Sequence, residues 1–578
     1  MDARVKPQAR SGAYLFLEGL CEIGVDYLFC NLGTDHAPIL EELANRRRIG
    51  APIPRLIRCA HENTAAHVAG GYAIVTGRGQ GVLVHVDVGT ANAANAMHNM
   101  LRSRIPVLLM AGKAPFTMAS ERAGTRDTYV HFIQEPFDQA SLVRPYVKWE
   151  WTLPSGLVAR QALRRAHAVM QAEPKGPVYL TMHRETLTEE LNEADSVGIQ
   201  GEASVGGASR TVADPELISV LAEKIMGAKS PMILTAYGGR NPETSYAIEA
   251  LAEFAGIAVY EAFPVNNIAR GGPCFSGFSP ERHVGTCDVG LLIDVDVPWI
   301  PSCTRLNPST YWAHIDIDVL KTASPLWDFP ASLRLQGNSA RILEMLVEQV
   351  MTNSSRQFRM QAAERVSAIK SANQQRAAEA ARLVATKGQH DAINPHYLFA
   401  ELGRLLAPTD IVFDETVTNI GPLTMQIPRS LPGTMLRAAG AGLGASGGMA
   451  LGAKLAAPER MMVQVVGDGS FYFNVPTSVF AASRQYDLPI LTILLDNSGW
   501  GAVKEATLKV YPDGHVRNAG AYEAALCPDV EFTRIAEAFG IHAEKVVDPE
   551  DVTNALRRCV DIVRDGQGAL VHVRVTPI

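Results

Sequence analysis

The stretch Val463-Gln-Val-Val-Gly467-Asp468-Gly469-Ser470 decides how this chain is read. A short apolar run enters a Gly-Asp-Gly turn, and a helical pattern follows. A second apolar run ends at Leu494-Leu-Asp496-Asn497-Ser498-Gly499, and Asn497 follows Asp468 by 497 − 468 = 29 positions. Continuous apolar runs of this length, bounded by turns, are strands buried on both faces, as in parallel sheets. The glycines allow close backbone approach, and a helix start offers free N–H groups to a phosphate. Asp468 supplies one hard oxygen and Asn497 another, the kind of ligands Mg²⁺ combines with phosphate and water. Taken alone, Gly-Asp-Gly is equally a tight turn beside an ordinary strand-end asparagine.

Working outward, the same alternation recurs. Gln80–Val88, Pro106–Ala111 and Val178–Met182 read as strands early in the chain. Pro231–Ala236, Ile257–Phe263, Val289–Val295 and Tyr311–Ile317 do so in the middle. Ile411–Phe413, Met461–Val466 and Pro489–Leu495 do so late. Helical patterns such as Glu62–Thr76 and Thr533–Phe539 lie between them. Two polar stretches, Glu190–Ser209 and Met351–His390, separate three units of ordinary domain size; the second reads as an exposed connecting helix. The expected fold is therefore α/β: three doubly wound parallel-sheet domains at 1–190, 210–350 and 390–578. The first and third resemble each other in their strand–turn–helix–strand order, which suggests a site shared between them at strand C-terminal ends.

Composition narrows the function. The 578 residues are 47% hydrophobic and 20% charged, with 53 basic against 60 acidic side chains, net −7. Such a balance gives no sign of a nucleic-acid surface. No apolar stretch is long enough to span a bilayer, and the first residues lack an apolar leader core. Eight cysteines without a CxxC pair argue against a zinc ribbon or disulfide framework and for a reducing cytoplasm.

With these motifs the chain resembles the thiamine-diphosphate enzymes that decarboxylate or ligate 2-oxo acids, the family of benzoylformate decarboxylase and acetohydroxyacid synthase. The resemblance covers nearly the whole chain, in the order pyrimidine-binding, middle and diphosphate-binding domain. It implies that Asp468, Asn497 and the Gly499 carbonyl hold Mg²⁺ against the diphosphate, within the turn Gly467–Ser470. It places Glu62, in His61-Glu62-Asn63, against the cofactor's pyrimidine, where a carboxylate promotes the imino tautomer. It makes Leu443 the wedge beneath the bent cofactor, Ala441 the acceptor of its amino group, and Glu415, Thr416 and Thr418 part of the diphosphate grip. Glu62 is otherwise a helix-start glutamate. Gly442, Gly444 and Gly447 also spell GxGxxG, yet no clear apolar strand precedes them, as a dinucleotide site requires.

On the substrate side, His85 in Val84-His85-Val86-Asp87-Val88-Gly89-Thr90-Ala91-Asn92 resembles the family's catalytic histidine, and Thr34 in Asn31-Leu-Gly33-Thr34-Asp35 its substrate-contacting serine. A histidine merely packed at a strand end is the plain alternative for His85. His36, Asp87, Trp500 and Lys504 are pocket candidates. Two departures stand out: no histidine occupies Asp296–Ser302, where benzoylformate decarboxylase carries a second one, and Asp87 stands where synthases have an uncharged turn. An ionised Asp87 would oppose a carboxylate 4 Å away by about 4 kcal/mol at an effective dielectric of 20. Asp294/Asp296 and Asp316/Asp318 read as solvated or turn-forming rather than metal-binding.

The resemblance thus implies a thiamine-diphosphate and Mg²⁺ enzyme that makes or breaks a C–C bond beside a carbonyl, acting on a 2-oxo acid or aldehyde. A synthase-type transferase, a nicotinamide or flavin oxidoreductase and an inactive homologue are the alternatives. FAD is possible but not predicted. In the family Glu62 and Asp468 come from different chains, so a homodimer or homotetramer with the site at the subunit interface is expected.

Overall fold

The computed structural model describes residues 10–192 and 208–576. The separating stretch expected at 190–209 falls largely outside them. The first domain carries strands β1 (Tyr27–Cys30), β2 (Arg55–Arg58), β3 (Gln80–Val84), β4 (Val107–Lys113), β5 (Glu150–Leu153) and β6 (Val178–His183). The middle domain carries β7 (Pro231–Thr235), β8 (Ala258–Glu261), β9 (Val289–Ile293), β10 (Tyr311–Asp316) and β11 (Leu333–Gln336). The third carries β12 (Ile411–Glu415), β13 (Met435–Leu436), β14 (Met462–Gly467), β15 (Leu491–Asp496), β16 (His542–Val546) and β17 (Ala569–Arg574). Strand orders are β2-β1-β3-β4-β6-β5, β8-β7-β9-β10-β11 and β13-β12-β14-β15-β17-β16, parallel throughout. The outer sheets share one permutation, so the internal resemblance is topological.

Helix α1 (Glu62–Thr76) follows β2, and α2 (Val86–Arg102) follows β3. The expected strand over 80–88 thus ends at Val84. Residues 86–88 are helical because the Ala- and Asn-rich run after them propagates a helix back to the turn. Helix α3 (Arg356–Val384) buries only Phe358 and Ala362, as an exposed connector should. Helix α4 (Ser446–Ala456) occupies the position in the third domain that α1 occupies in the first, and the two pack face to face.

Glycine makes that contact possible. A Cβ on Gly71 would lie 2.0 Å from the Met449 carbonyl oxygen, and one on Gly452 1.9 Å from that of Val68. Backbone therefore touches backbone, and one apolar core, including Phe29, Ile57, Phe413 and Met449, runs through both outer domains. The middle domain has its own core.

Of the four middle-domain aspartates, Asp294 and Asp316 are buried rather than solvated, while Asp296 and Asp318 are partly exposed. Asp316 is fully buried and takes both terminal nitrogens of Arg104, at 2.8 and 3.1 Å, and Lys321 Nζ at 2.6 Å. It also accepts the Asp318 N–H, so the turn-forming half of the expectation holds. Asp294 is buried and accepts the Ser339 hydroxyl at 2.7 Å. Arg104 reaches from the first domain to neutralise this strand end, 212 positions away, where no local pattern could signal it.

Candidate active site

At the C-terminal edge of the third sheet lies a cavity of about 410 Å³. Every third-domain residue assigned above to cofactor or metal lines it. Glu415 ends β12 and Thr416 and Thr418 follow it, Ala441 and Leu443 precede α4, Gly467 ends β14 and Asp468–Ser470 follow it, and Asn497 and Gly499 follow β15. Trp500 closes one side, with its ring where a Gly469 Cβ would be, 2.5 Å away. Lys504 stands just beyond, its Nζ 5.2 Å from the Tyr522 ring centre.

The walls are strained. Val417, Ala441 and Ser498 have φ of 53°, 53° and 62°. Such conformations cost free energy outside glycine and gather where a loop is held for function. The strain at 441 is held from the first domain. Asn99 accepts the Gly442 N–H at 3.0 Å and donates to its carbonyl at 2.9 Å; Asn95 donates to Leu443 O and Asn63 to Gly444 O. A Cβ on Gly442 would stand 2.3 Å from Asn95 Oδ1, and one on Gly444, at φ 98°, 2.1 Å from Phe473 O. These packing demands explain the glycines that spelled a dinucleotide fingerprint, and nine residues separate β13 from α4.

Glu415 is a different matter from its neighbours. Its carboxylate accepts from the N–H groups of Gly444, Ala445 and Ser446, the Ser446 hydroxyl and Asn474 Nδ2. It lines the cavity but is fully engaged in capping α4, so what it contributes is the shape of the 441–446 loop.

The cavity fits a magnesium diphosphate. Asp468 is 3% exposed, and burial pushes its carboxyl up to about 6; the remaining influences are three backbone N–H groups, of Asp468, Gly469 and Gly499, and Asp496, with no cationic side chain among them. A buried carboxylate lacking a cation beside it is suited to a divalent ion. Asn497 Oδ1 accepts the Gly499 N–H at 3.2 Å, which fixes the turn bearing the Gly499 carbonyl.

The remaining candidates gather at the matching edge of the first sheet. None of them lines the third-domain cavity of the same chain. Glu62 is 8% exposed; its Oε2 accepts from Asn92 Nδ2 at 3.1 Å, and its Oε1 lies 3.3 Å from where a Gly89 Cβ would be. His85 ends β3, with Nδ1 2.6 Å from Asp35 Oδ1 and Nε2 2.9 Å from Gln134 Oε1. The hydrogen bond to Asp35 raises its pKa against the opposing effect of burial. Thr34 is exposed beside it. His36 is buried, its pKa lowered by that burial; its Nδ1 accepts the Gly33 N–H at 3.0 Å. Asp87 is half-buried, in the first turn of α2, with Oδ1 unpaired. Sequence reasoning missed Asp35, Gln134 and Asn92. Asp35 and Asn92 stand inside the quoted motifs, whereas Gln134 lies 49 residues from His85, where no spacing could signal it.

Residues 10–142 match the family described as thiamine pyrophosphate enzyme, N-terminal TPP binding domain, and residues 419–573 its C-terminal TPP binding domain. The chain is 24% identical to acetolactate synthase isozyme 3 large subunit of Escherichia coli, over 98% of this chain and 95% of that protein. It is also 24% identical to benzoylformate decarboxylase of Pseudomonas aeruginosa, over 93% and 94% respectively. In fold it is similar to the 4-hydroxybenzoylformate decarboxylase of Rhodococcus jostii, with TM-score 0.78, 20% identity, and 98% and 100% of the two chains covered.

Proposed function

Because the chain belongs to the thiamine pyrophosphate enzymes, we propose that it cleaves or forms a C–C bond beside a carbonyl, by decarboxylation of a 2-oxo acid, by carboligation to a 2-hydroxy ketone, or both. The observation that carries this reading is the convergence of the third-domain candidates on one cavity with an unneutralised buried Asp468. Bound there, thiamine diphosphate supplies an electron sink for the carbon that loses its carboxylate or aldehyde.

The chain's own residues divide the work. Asp468, Asn497 and the Gly499 carbonyl would hold Mg²⁺, and the Gly467–Ser470 turn the diphosphate. Leu443 and Ala441, fixed by Asn95 and Asn99, would set the cofactor's bend before substrate arrives, so orientation need not be gained during turnover. Glu62 would face the pyrimidine, Thr34 the substrate, and His85 would carry a proton at Nε2. Glu62 is absent from its own chain's cavity, so the complete site is formed with a second copy of the chain. Asp87 opposes a carboxylate nearby, so the donor is an aldehyde or hydroxyketone, or a 2-oxo acid turned away from it.

The test is incubation with thiamine diphosphate, Mg²⁺ and a panel of pyruvate, benzoylformate, branched-chain and dicarboxylic 2-oxo acids, with CO₂ and hydroxyketone followed separately. CO₂ alone supports a decarboxylase, and both together a synthase-type transferase. Neither, with donor aldehydes also inert, refutes the reading. An Asp87→Ala variant with unchanged donor preference and pH profile removes Asp87 from it.

A further inference from the structure

Asp35 is 2% exposed, and although it closes the Asn31–Asp35 motif that carries Thr34, the proposed chemistry gives it no role. Its Oδ1 lies 2.6 Å from His85 Nδ1, and short contacts of this kind are the mark of charge-assisted hydrogen bonds. Its Oδ2 accepts the Val86 N–H at 3.4 Å and lies 3.2 Å from His36 Nε2. The backbone is arranged for this contact at some cost. Val86 is held at φ 29°, which a branched side chain resists. Two glycines leave the room: a Cβ on Gly112 would stand 1.8 Å from Asp35 Oδ2, and one on Gly33 2.1 Å from His85 Nδ1.

We infer that Asp35 is the positioning residue of His85, its buried carboxylate holding the Nδ1 proton so that Nε2, which in the structure meets Gln134 Oε1 at 2.9 Å, is the atom that exchanges protons with substrate when substrate takes the place of Gln134. The inference rests on the reading of His85 as proton carrier. A neutral imidazole has two tautomers, and an acceptor fixed at one nitrogen selects between them and stabilises the imidazolium. In the step itself, the Nε2–H bond breaks, its electrons stay on the ring, and the proton bonds to the substrate atom holding the new electron pair. Solvent then restores the proton. Asp35 remains ionised, its pKa lowered by His85 and His36 although burial opposes this.

The charged and titratable groups facing His85 are few. Asp35 and Asp87 favour its charged form, while His36 and His131 disfavour it and are themselves held neutral-leaning by burial. Removing the Asp35 charge therefore leaves the His85 proton easier to lose.

Carbethoxylation by diethyl pyrocarbonate, read at the His85 peptide by mass spectrometry across pH, measures neutral imidazole without turnover. In the unmutated full chain with thiamine diphosphate and Mg²⁺, the His85 midpoint should lie above that of exposed His390; a midpoint at or below it overturns the inference. Asp35→Asn should lower the midpoint by about one pH unit or more, and Gly112→Ala, which displaces the carboxylate from its far side, should lower it too. Turnover of pyruvate or benzoylformate should fall roughly 10–100-fold, its basic limb moving by the same interval. A midpoint that stays put in both variants, or moves together with that of His390, overturns the inference. His85→Asn turning over as fast as the parent would instead refute the proton-carrier reading, and the midpoint shift would still report on the Asp35 contact by itself.

Discussion

In the first domain, the turn after β3 presents His85 with both ring nitrogens engaged and a buried aspartate behind it. In the third domain, the turn after β14 presents Asp468 at the edge of a cavity, with no cationic side chain among the described residues shifting its carboxyl. The two turns hold the same place in sheets of the same strand order. At the first edge the His85 ring is satisfied from within, though Asp87 Oδ1 beside it is not, and the third edge opens on a cavity. The difference teaches that shared topology repeats the position of the turn, while local polar partners decide whether its buried groups face one another or an open cavity.

The sharpest way to break this comparison is to disable each half separately. Asp468→Ala should weaken Mg²⁺-dependent cofactor binding by about 100-fold or more. Glu62→Gln should leave binding nearly unchanged and cut turnover by roughly 10²–10⁴-fold. Calorimetric titration and steady-state rates separate the two. Mixing the inactive chains under exchange should restore about a quarter of parent activity, since half the dimers are mixed and each has one intact site. No recovery would place Glu62 and Asp468 in the same chain's site.

Next comes the seam between the halves. Gly452→Ala drives a Cβ into the Val68 carbonyl and should cost about 3 kcal/mol in denaturant unfolding. Gly421→Ala, with nothing within 4 Å, should be neutral or stabilise by up to about 1 kcal/mol. Equal effects would refute the close helix contact. The same seam buries His67, whose Nδ1 donates to Asn63 O and whose Nε2 accepts from Asn99. Burial lowers its pKa to about 4. The unfolded chain takes up this proton first as pH falls, so the contribution is present above about pH 6.5 and lost between there and pH 4. The loss is at most on the order of 3 kcal/mol, and a His67→Asn variant should flatten that slope in unfolding curves. Smallest of all, Lys504→Ala should change stability by less than about 0.5 kcal/mol and register, if anywhere, in KM.

Much of this was readable beforehand because its signals are local. The ends of β14 and β15, each expected one residue short of Gly467 and Asp496, the start of α1 at Glu62 and the place of Asp468, Asn497 and Gly499 just after those strands depend on runs of a few residues. The strand over 80–88 was overextended because Val86-Asp87-Val88 alternates like a strand, while the strained turn at Val86 is imposed by a partner 51 residues away. Glu415 and the aspartates 294 and 316 share that lesson: charge and position were plain, but whether the charge faced a ligand, a helix N-terminus or Arg104 was not.

The sequence by itself determined the alternation of strand and helix, the three-domain order and the chemical types at each strand end, because periodicity and turn chemistry act between near neighbours. Only the tertiary structure decided that α1 and α4 meet through glycines, that Asn95 and Asn99 hold the 440–444 loop, and that Asp35 stands behind His85. Those contacts join residues 50 to about 380 positions apart, and their energies come from burial and hydrogen-bond geometry, which exist only once the chain has closed on itself.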